Sequence, residues 1–308
     1  MTPTARKRLL AYGLLLIYAA VLEWLWGWRT LLEPWRSFSL VTGLAAIILL
    51  FASYALRAVR LYDYFRDEVR GRFVDCLKLM LYHNLFNNLL PMRSGEISFP
   101  VLMKRYFEVP VIRSVPALLW FRVLDLHTIL AIGGLAALLY HFGPGQAAWL
   151  LPLWLPLPWV AHALKDRVGA RLARAPRGRI GTLLTQALQG LPSSDGEFWR
   201  SWLWTWINWV VKLAVLAWLL LQFIDVSYAA AWLGAIAGDL TSVLPIHAPG
   251  GFGTYEAGVL AGLMPFGVTL EPAMSAAVNL HLFILFSSLA SGLLAWGLPG
   301  KVKPVTAQ

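Results

Sequence analysis

Residues 228–264 read YAAAWLGAIAGDLTSVLPIHAPGGFGTYEAGVLAGLM. An apolar run from Tyr228 to Leu244 stops at Pro245, a break rich in glycine follows at Pro249–Gly253, and a shorter apolar run covers Tyr255–Met264. Crossing a hydrocarbon layer about 30 Å thick takes about 20 apolar residues in a helix. Both halves fall short of that. Two short apolar halves around a Pro/Gly break spell a hairpin that enters a membrane and returns. Non-helical backbone at membrane depth survives only where protein or a water-filled cavity satisfies its N–H and C=O groups. The stretch therefore predicts a membrane-embedded fold with a polar interior.

The rest of the chain agrees. Its 308 residues are 58% hydrophobic and 14% charged, against about 25% charged in soluble domains. Sixteen Trp and ten Tyr suit aromatic belts at the two membrane interfaces. Spanning helices are expected at Leu9–Trp26, Ser39–Leu56, Val115–Tyr140, Ala147–Ala163, Phe198–Ile224 and Pro272–Leu298. Arg57–Lys78 reads as an amphipathic cytoplasmic helix. A second broken pair lies at 79–112, where Leu79–Leu90 ends at Pro91 and Ile97–Met103 precedes Lys104 and Arg105. The expected fold is an all-α integral membrane domain over 1–308, with about six transmembrane helices plus two oppositely oriented re-entrant hairpins. Repeat one is expected at about 9–141 and repeat two, inverted, at about 147–298. Leu90-Pro91-Met92-Arg93 resembles Leu244-Pro245-Ile246-His247, and Asp125-Leu126-His127 matches Asn279-Leu280-His281 at the same offset.

The net charge of +10 is arranged as the positive-inside rule predicts. Basic residues gather before Leu9, within 57–78, within 165–179 and at Lys301 and Lys303. From Leu213 to Gly300 there is no Lys or Arg. This places the N-terminus and C-terminus in the cytoplasm and the chain in a bacterial inner membrane. No nucleic-acid-binding module is present, so that class is excluded. Arg6, Lys7 and Arg8 precede the first apolar run, and no small-x-small cleavage site follows it, so a retained helix is expected. The single Cys76 rules out an internal disulfide and a cysteine zinc cluster. The histidines lack metal-ligand spacing, and neither a GxSxG elbow nor a phosphate-binding GxxxxGK[ST] loop occurs. No cofactor or metal and no enzymatic activity are expected.

Ionisable residues inside a membrane each cost roughly 2.5–3.5 kcal/mol on insertion scales, so they mark function or an internal partner. Arg93 and Glu96 lie at the first break, beside Asn84, Asn87 and Asn88. They suit a phosphate cradle, or an ion pair that locks the hairpin. Arg122 and Asp125 share a helix face, while His127 points elsewhere. In the second break, Gly250, Gly251 and Gly253 free backbone N–H groups for an anion. Thr254 reads as an N-cap, followed by Tyr255 and by Glu256 in the first turn. Lys212 is expected to pair with Asp239 or Glu256, or to snorkel to the cytoplasmic face. His247, Asn279 and His281 complete the candidates. Inverted repeats with broken helices point to a transporter's binding site, with a duplicated scaffold as the alternative.

Asn88-Leu-Leu-Pro-Met-Arg93-Ser-Gly-Glu96, Phe121-Arg122-Val-Leu-Asp125 and Leu244-Pro-Ile-His-Ala-Pro-Gly-Gly-Phe-Gly-Thr-Tyr-Glu256 together resemble the lysylphosphatidylglycerol synthase transmembrane region family. The resemblance covers about residues 40 to 298. That family includes the flippase domain of multiple peptide resistance factors and stand-alone relatives linked to hopanoid or archaeal glycolipid pathways. Arg93, Glu96, Arg122, Asp125 and Glu256 match its polar motif positions. Phe121 departs from it, since the family often carries an acid there. With the chain ending at Gln308, the soluble aminoacyl-transferring domain is not expected. The resemblance implies a lipid translocase whose partners are membrane lipids, joined by a second copy of the chain or a lipid-biosynthesis protein. The alternatives are an accessory or enzyme subunit for lipid-linked group transfer and a small-solute transporter.

Overall fold

The computed structural model describes residues 13, 16–174, 178, 181, 184–185, 188, 190–243 and 249–300; at 91–93, 144, 146–148, 150, 172–174 and 249 it describes backbone alone. Among the described residues every regular element is helical. The order is α1 (Leu16–Leu25), α2 (Leu40–Tyr64), α3 (Phe73–Leu89), α4 (Ser98–Phe107), α5 (Val111–Phe142), α6 (Pro144–Trp154), α7 (Leu157–Arg174), α8 (Asp195–Phe223), α9 (Tyr228–Val243), α10 (Thr254–Leu263) and α11 (Leu270–Gly297). Four helices, α2, α5, α8 and α11, are long and apolar enough to cross a membrane. The shortest has 25 residues, or about 37 Å at 1.5 Å per residue, more than the hydrocarbon thickness. Their outer faces stay apolar, with Leu40, Val41 and Ile48 on α2 exposed, and Trp24, Trp149 and Trp296 are among the most exposed aromatic rings. The protein is a multi-pass membrane protein.

Two expected elements differ. Arg57–Lys78 is not a separate amphipathic helix. Instead α2 runs eight residues past Leu56, a one-turn helix follows at Arg66–Val69, and α3 starts at Phe73. No Gly or Pro lies between Leu56 and Gly71, so no such residue ends α2 at Leu56. The expected span at 147–163 is two helices, α6 and α7, meeting at Leu155–Pro156. Pro156 and Pro158 lack the N–H that a continuous helix needs there and clash with the preceding turn. Of the first expected span, 9–15 apart from Gly13 lies outside the described residues.

The first broken pair is helix, turn, helix; in the second, residues 244–248 of the link lie outside the described residues. In the first, α3 and α4 are joined by a 3-10 turn at Pro91–Ile97, and Gly95 lies so close to the backbone of Phe86 that no Cβ fits. In the second, α9 and α10 pack on each other through small residues. Gly234 and Gly238 on α9 meet Gly258 and Gly262 on α10. A Cβ on Gly258 would sit 2.6 Å from the Ala237 carbonyl oxygen, and one on Gly238 would sit 2.6 Å from Val259. This small-residue spacing brings helix backbones together where hydrophobic burial gives no net drive.

The chain packs as two compact units. The first draws on Met1–Phe51, Asn84–Gly95 and Val211–Ser291, and the second on Ala52–His83, Glu96–Val210 and Gly292–Gln308. Aromatic stacking organises part of the first, with Trp35, Phe38, Phe223 and Phe283 in mutual contact. In the second, a buried cluster includes Phe65, Leu79, Phe99, Met103, Phe121 and Leu124.

Candidate functional site

The second unit holds a chain of buried charges. Asp125, on α5, is 1% exposed. Its Oδ1 accepts from Arg60 Nη1 at 2.7 Å and from Trp209 Nε1 at 3.0 Å, and its Oδ2 accepts from Arg122 Nη1 at 2.9 Å. Arg122 reaches on to Glu96, with Nη2 2.9 Å from Oε1, and to His83 Nε2 at 3.1 Å. A planar guanidinium bridges two carboxylates in this way where a lysine ammonium does not. Arg60 also donates to Thr205 on α8 at 2.8 Å, and its guanidinium carbon lies 4.5 Å from the Phe121 ring centroid. Phe121 thus supports a cation through its ring face. Arg57, one turn before Arg60, sits 5.5 Å from the Trp209 ring centroid and has no ion-pair partner among the described residues. Among the described residues, the carboxylates beside Arg57, Arg60 and Arg122 are Asp125 and Glu96, an excess of positive charge.

The first unit holds a separate group. Glu256, at 1% exposure, lies 2.8 Å from His281 Nδ1 through Oε1 and accepts from the Gly253 N–H at 2.7 Å through Oε2. The N-cap of α10 is Gly253, not Thr254. With φ at 80° for Gly253 and 78° for Gly251, these positions suit glycine alone, and Thr254 shifts into the helix, donating to the Gly251 carbonyl at 2.9 Å. Tyr255 stacks on His281 with centroids 4.8 Å apart. Lys212 pairs with Asp239 at 2.5 Å, the first of its expected arrangements, and does not snorkel away. Asn88, at the end of α3, donates to Ser288 on α11 at 2.6 Å, and Asn84 approaches the same hydroxyl at 3.5 Å. Between these side chains lies a cavity of about 30 Å³, lined among others by Asn88, Lys212, Asp239, Gly250, Tyr255 and His281. Gly251 is buried beside it.

Several expected residues stand elsewhere. His127 stacks on Trp154 at an interplanar angle of 3°, its Nε2 2.9 Å from the Trp154 carbonyl, while Trp154 Nε1 donates to the His127 carbonyl. It fastens α6 to α5 and takes no part in either group. Asn279 holds the connection between α1 and α2: its amide donates to the Leu31 carbonyl at 2.7 Å and its Oδ1 accepts from Trp35 Nε1 at 2.7 Å. Asn279→Ala is expected to cost about 1–2 kcal/mol in detergent unfolding, because Trp35 loses its acceptor while the Leu31 carbonyl keeps the Ser275 hydroxyl at 2.9 Å. His247 and the Arg93 side chain lie outside the described residues. Arg57, Arg60, His83, Thr205, Trp209 and Ser288 were missed from the sequence. The three-residue step from Arg57 to Arg60, in phase with the apolar face of Ala58, Leu61 and Tyr64, was the available signal.

The model for the family described as "Lysylphosphatidylglycerol synthase TM region" matches residues 9–292. No curated protein and no solved structure matches the chain.

Proposed function

Because the chain belongs to the lysylphosphatidylglycerol synthase TM region family, we propose that it is a lipid translocase: it moves a polar-headgroup lipid between leaflets and makes no covalent change to it. One observation carries the reading. Asn88 from the first broken pair, and Ser242, Gly250 and Tyr255 from the second, line the same polar cavity. In this reading the pairs α3–α4 and α9–α10 are re-entrant hairpins entering from opposite leaflets, in an inverted repeat. The protein lies in a bacterial inner membrane with both termini in the cytoplasm. The headgroup takes the polar route while its acyl chains stay in hydrocarbon. The excess of guanidinium around Asp125 supports an anionic phosphate as the group attracted, since arginine binds phosphate through paired hydrogen bonds.

The size of the cavity favours a second reading, a passage for a small solute or ion, because about 30 Å³ holds no headgroup without movement. One experiment separates the two. The purified chain is placed in vesicles of phosphatidylglycerol and phosphatidylethanolamine with trace fluorescent analogues, and lipid exposure is followed by chemical quenching. A translocase speeds exchange at least about tenfold over empty vesicles, a lowering of the barrier by about 1.4 kcal/mol, and Arg93→Ala slows it. No acceleration for either lipid class overturns the reading.

A further inference from the structure

We propose that the buried group of the first unit carries a transferable proton, and that lipid movement by this chain is coupled to proton flow through Glu256, His281 and Asp239. The coupling rests on the translocase reading above; the proton site itself does not.

Charge balance is the first ground. Lys212 brings one positive charge, and Asp239 and Glu256 bring one negative charge each. Asp239, Glu256 and His281 are all at most 4% exposed. Among the described side chains, with His281 neutral, the group is one negative charge out of balance. With one proton shared by His281 and Glu256 it is neutral. A buried, unbalanced charge is costly, and one proton on the pair removes the imbalance.

The second ground is geometric. The Glu256–His281 contact is direct at 2.8 Å, with the other carboxylate oxygen fixed by the Gly253 N–H. This leaves Oε1 as the atom that exchanges. Lys212, Asp239, Tyr255 and His281 all line the same cavity, and its 30 Å³ is room for about two water molecules. The Tyr255 hydroxyl is buried with no hydrogen-bond partner among the described residues, and it feels the charge of both Asp239 and Glu256, so the cavity offers a third polar group. The groups around Glu256 and His281 are Tyr18 from α1, Lys212 from α8, Asp239 from α9 and Tyr255 from α10. Chains of carboxylate, histidine and water inside a membrane are the usual parts of proton relays. The step is a plain transfer: the proton leaves the His281–Glu256 pair to cavity water as hydronium and reaches Asp239, where Lys212 makes its stay short. No bond other than N–H and O–H changes.

The test uses the same vesicles with the pH dye pyranine enclosed and a pH difference of one unit imposed. For one proton per lipid, this gradient drives about a tenfold lipid asymmetry, and the dye reports proton entry with the lipid. Glu256→Gln is expected to remove both the asymmetry and the dye signal, and Tyr255→Phe, which keeps the ring stack on His281, to slow both several-fold. The wild-type dye signal needs no variant, so a misfolded variant leaves the test intact. Lipid exchange that ignores the gradient and gives no dye response overturns the proton proposal and leaves the translocase. Proton entry without movement of any lipid keeps the proton site and overturns both the translocase and the coupling. Silence of both signals overturns both.

Discussion

Asp125→Ala is expected to destabilise the purified protein by about 3–5 kcal/mol, the usual cost of removing one partner from a buried ion pair. The cost is large because Asp125 serves three donors at once, Arg60, Arg122 and Trp209. Without it, Arg57, Arg60 and Arg122 keep only Glu96 of the two carboxylates, and Arg60 is 4% exposed. Its remaining partner, Thr205, is neutral. The pair Arg60→Met with Asp125→Leu is expected to recover part of the loss, since it removes the Arg60 charge along with its need, while Arg122 and Trp209 still lose their acceptor. Detergent-to-denaturant unfolding of the two variants beside wild type measures this. A single variant as stable as wild type would show that the network adds nothing to the fold.

Gly262→Leu is expected to be the most damaging substitution outside the charged groups. Position 262 lies against the Leu233 backbone and Gly234, with no space for a Cβ. The obstacle is main chain, so no rotamer relieves it, and overpacking of this kind costs about 3 kcal/mol or more. The expected result is loss of the α9–α10 contact and of folded protein after extraction, read by size-exclusion yield and Tm. Gly134→Ala is the comparison. A Cβ there meets nothing within 4 Å, and a helical Gly-to-Ala change gains up to about 1 kcal/mol. Equal behaviour of the two would refute close packing as the reason for the glycines.

What could be read in advance follows the range of the interactions. The breaks at Pro91–Ile97 and Pro249–Gly253 were legible because proline and glycine write irregular backbone into the chain locally. The pairing of Arg122 with Asp125 was legible for the same reason, at three residues on one helix face. The link from Arg60 to Asp125 spans 65 residues, and no local pattern carries it. Arg57 and Arg60 read as solvated because charge near the end of an apolar run is usually exposed. Here α2 runs on to Tyr64 and buries Arg60 against the face of Phe121. Lys212 had two candidate carboxylates in the sequence, and only packing assigns it to Asp239 and leaves Glu256 to His281. The split of α6 from α7 was written plainly in Pro156 and Pro158, and apolar composition over 147–163 outweighed it.

The placement of two arginines on α2 sets a problem for biogenesis. They leave the ribosome before Asp125 by up to 68 residues, which at 5–20 residues per second is about 3–14 s. Thr205 and Trp209 follow later still. During that interval the acidic residues at hand are Asp63 and those of the following segment, not Asp125, and full lateral entry into lipid would hold both guanidiniums away from the carboxylate they finally pack beside. Their position near the helix end lets long side chains reach toward headgroups meanwhile. Final seating of α2 therefore waits for α5, and translation order becomes part of the folding route.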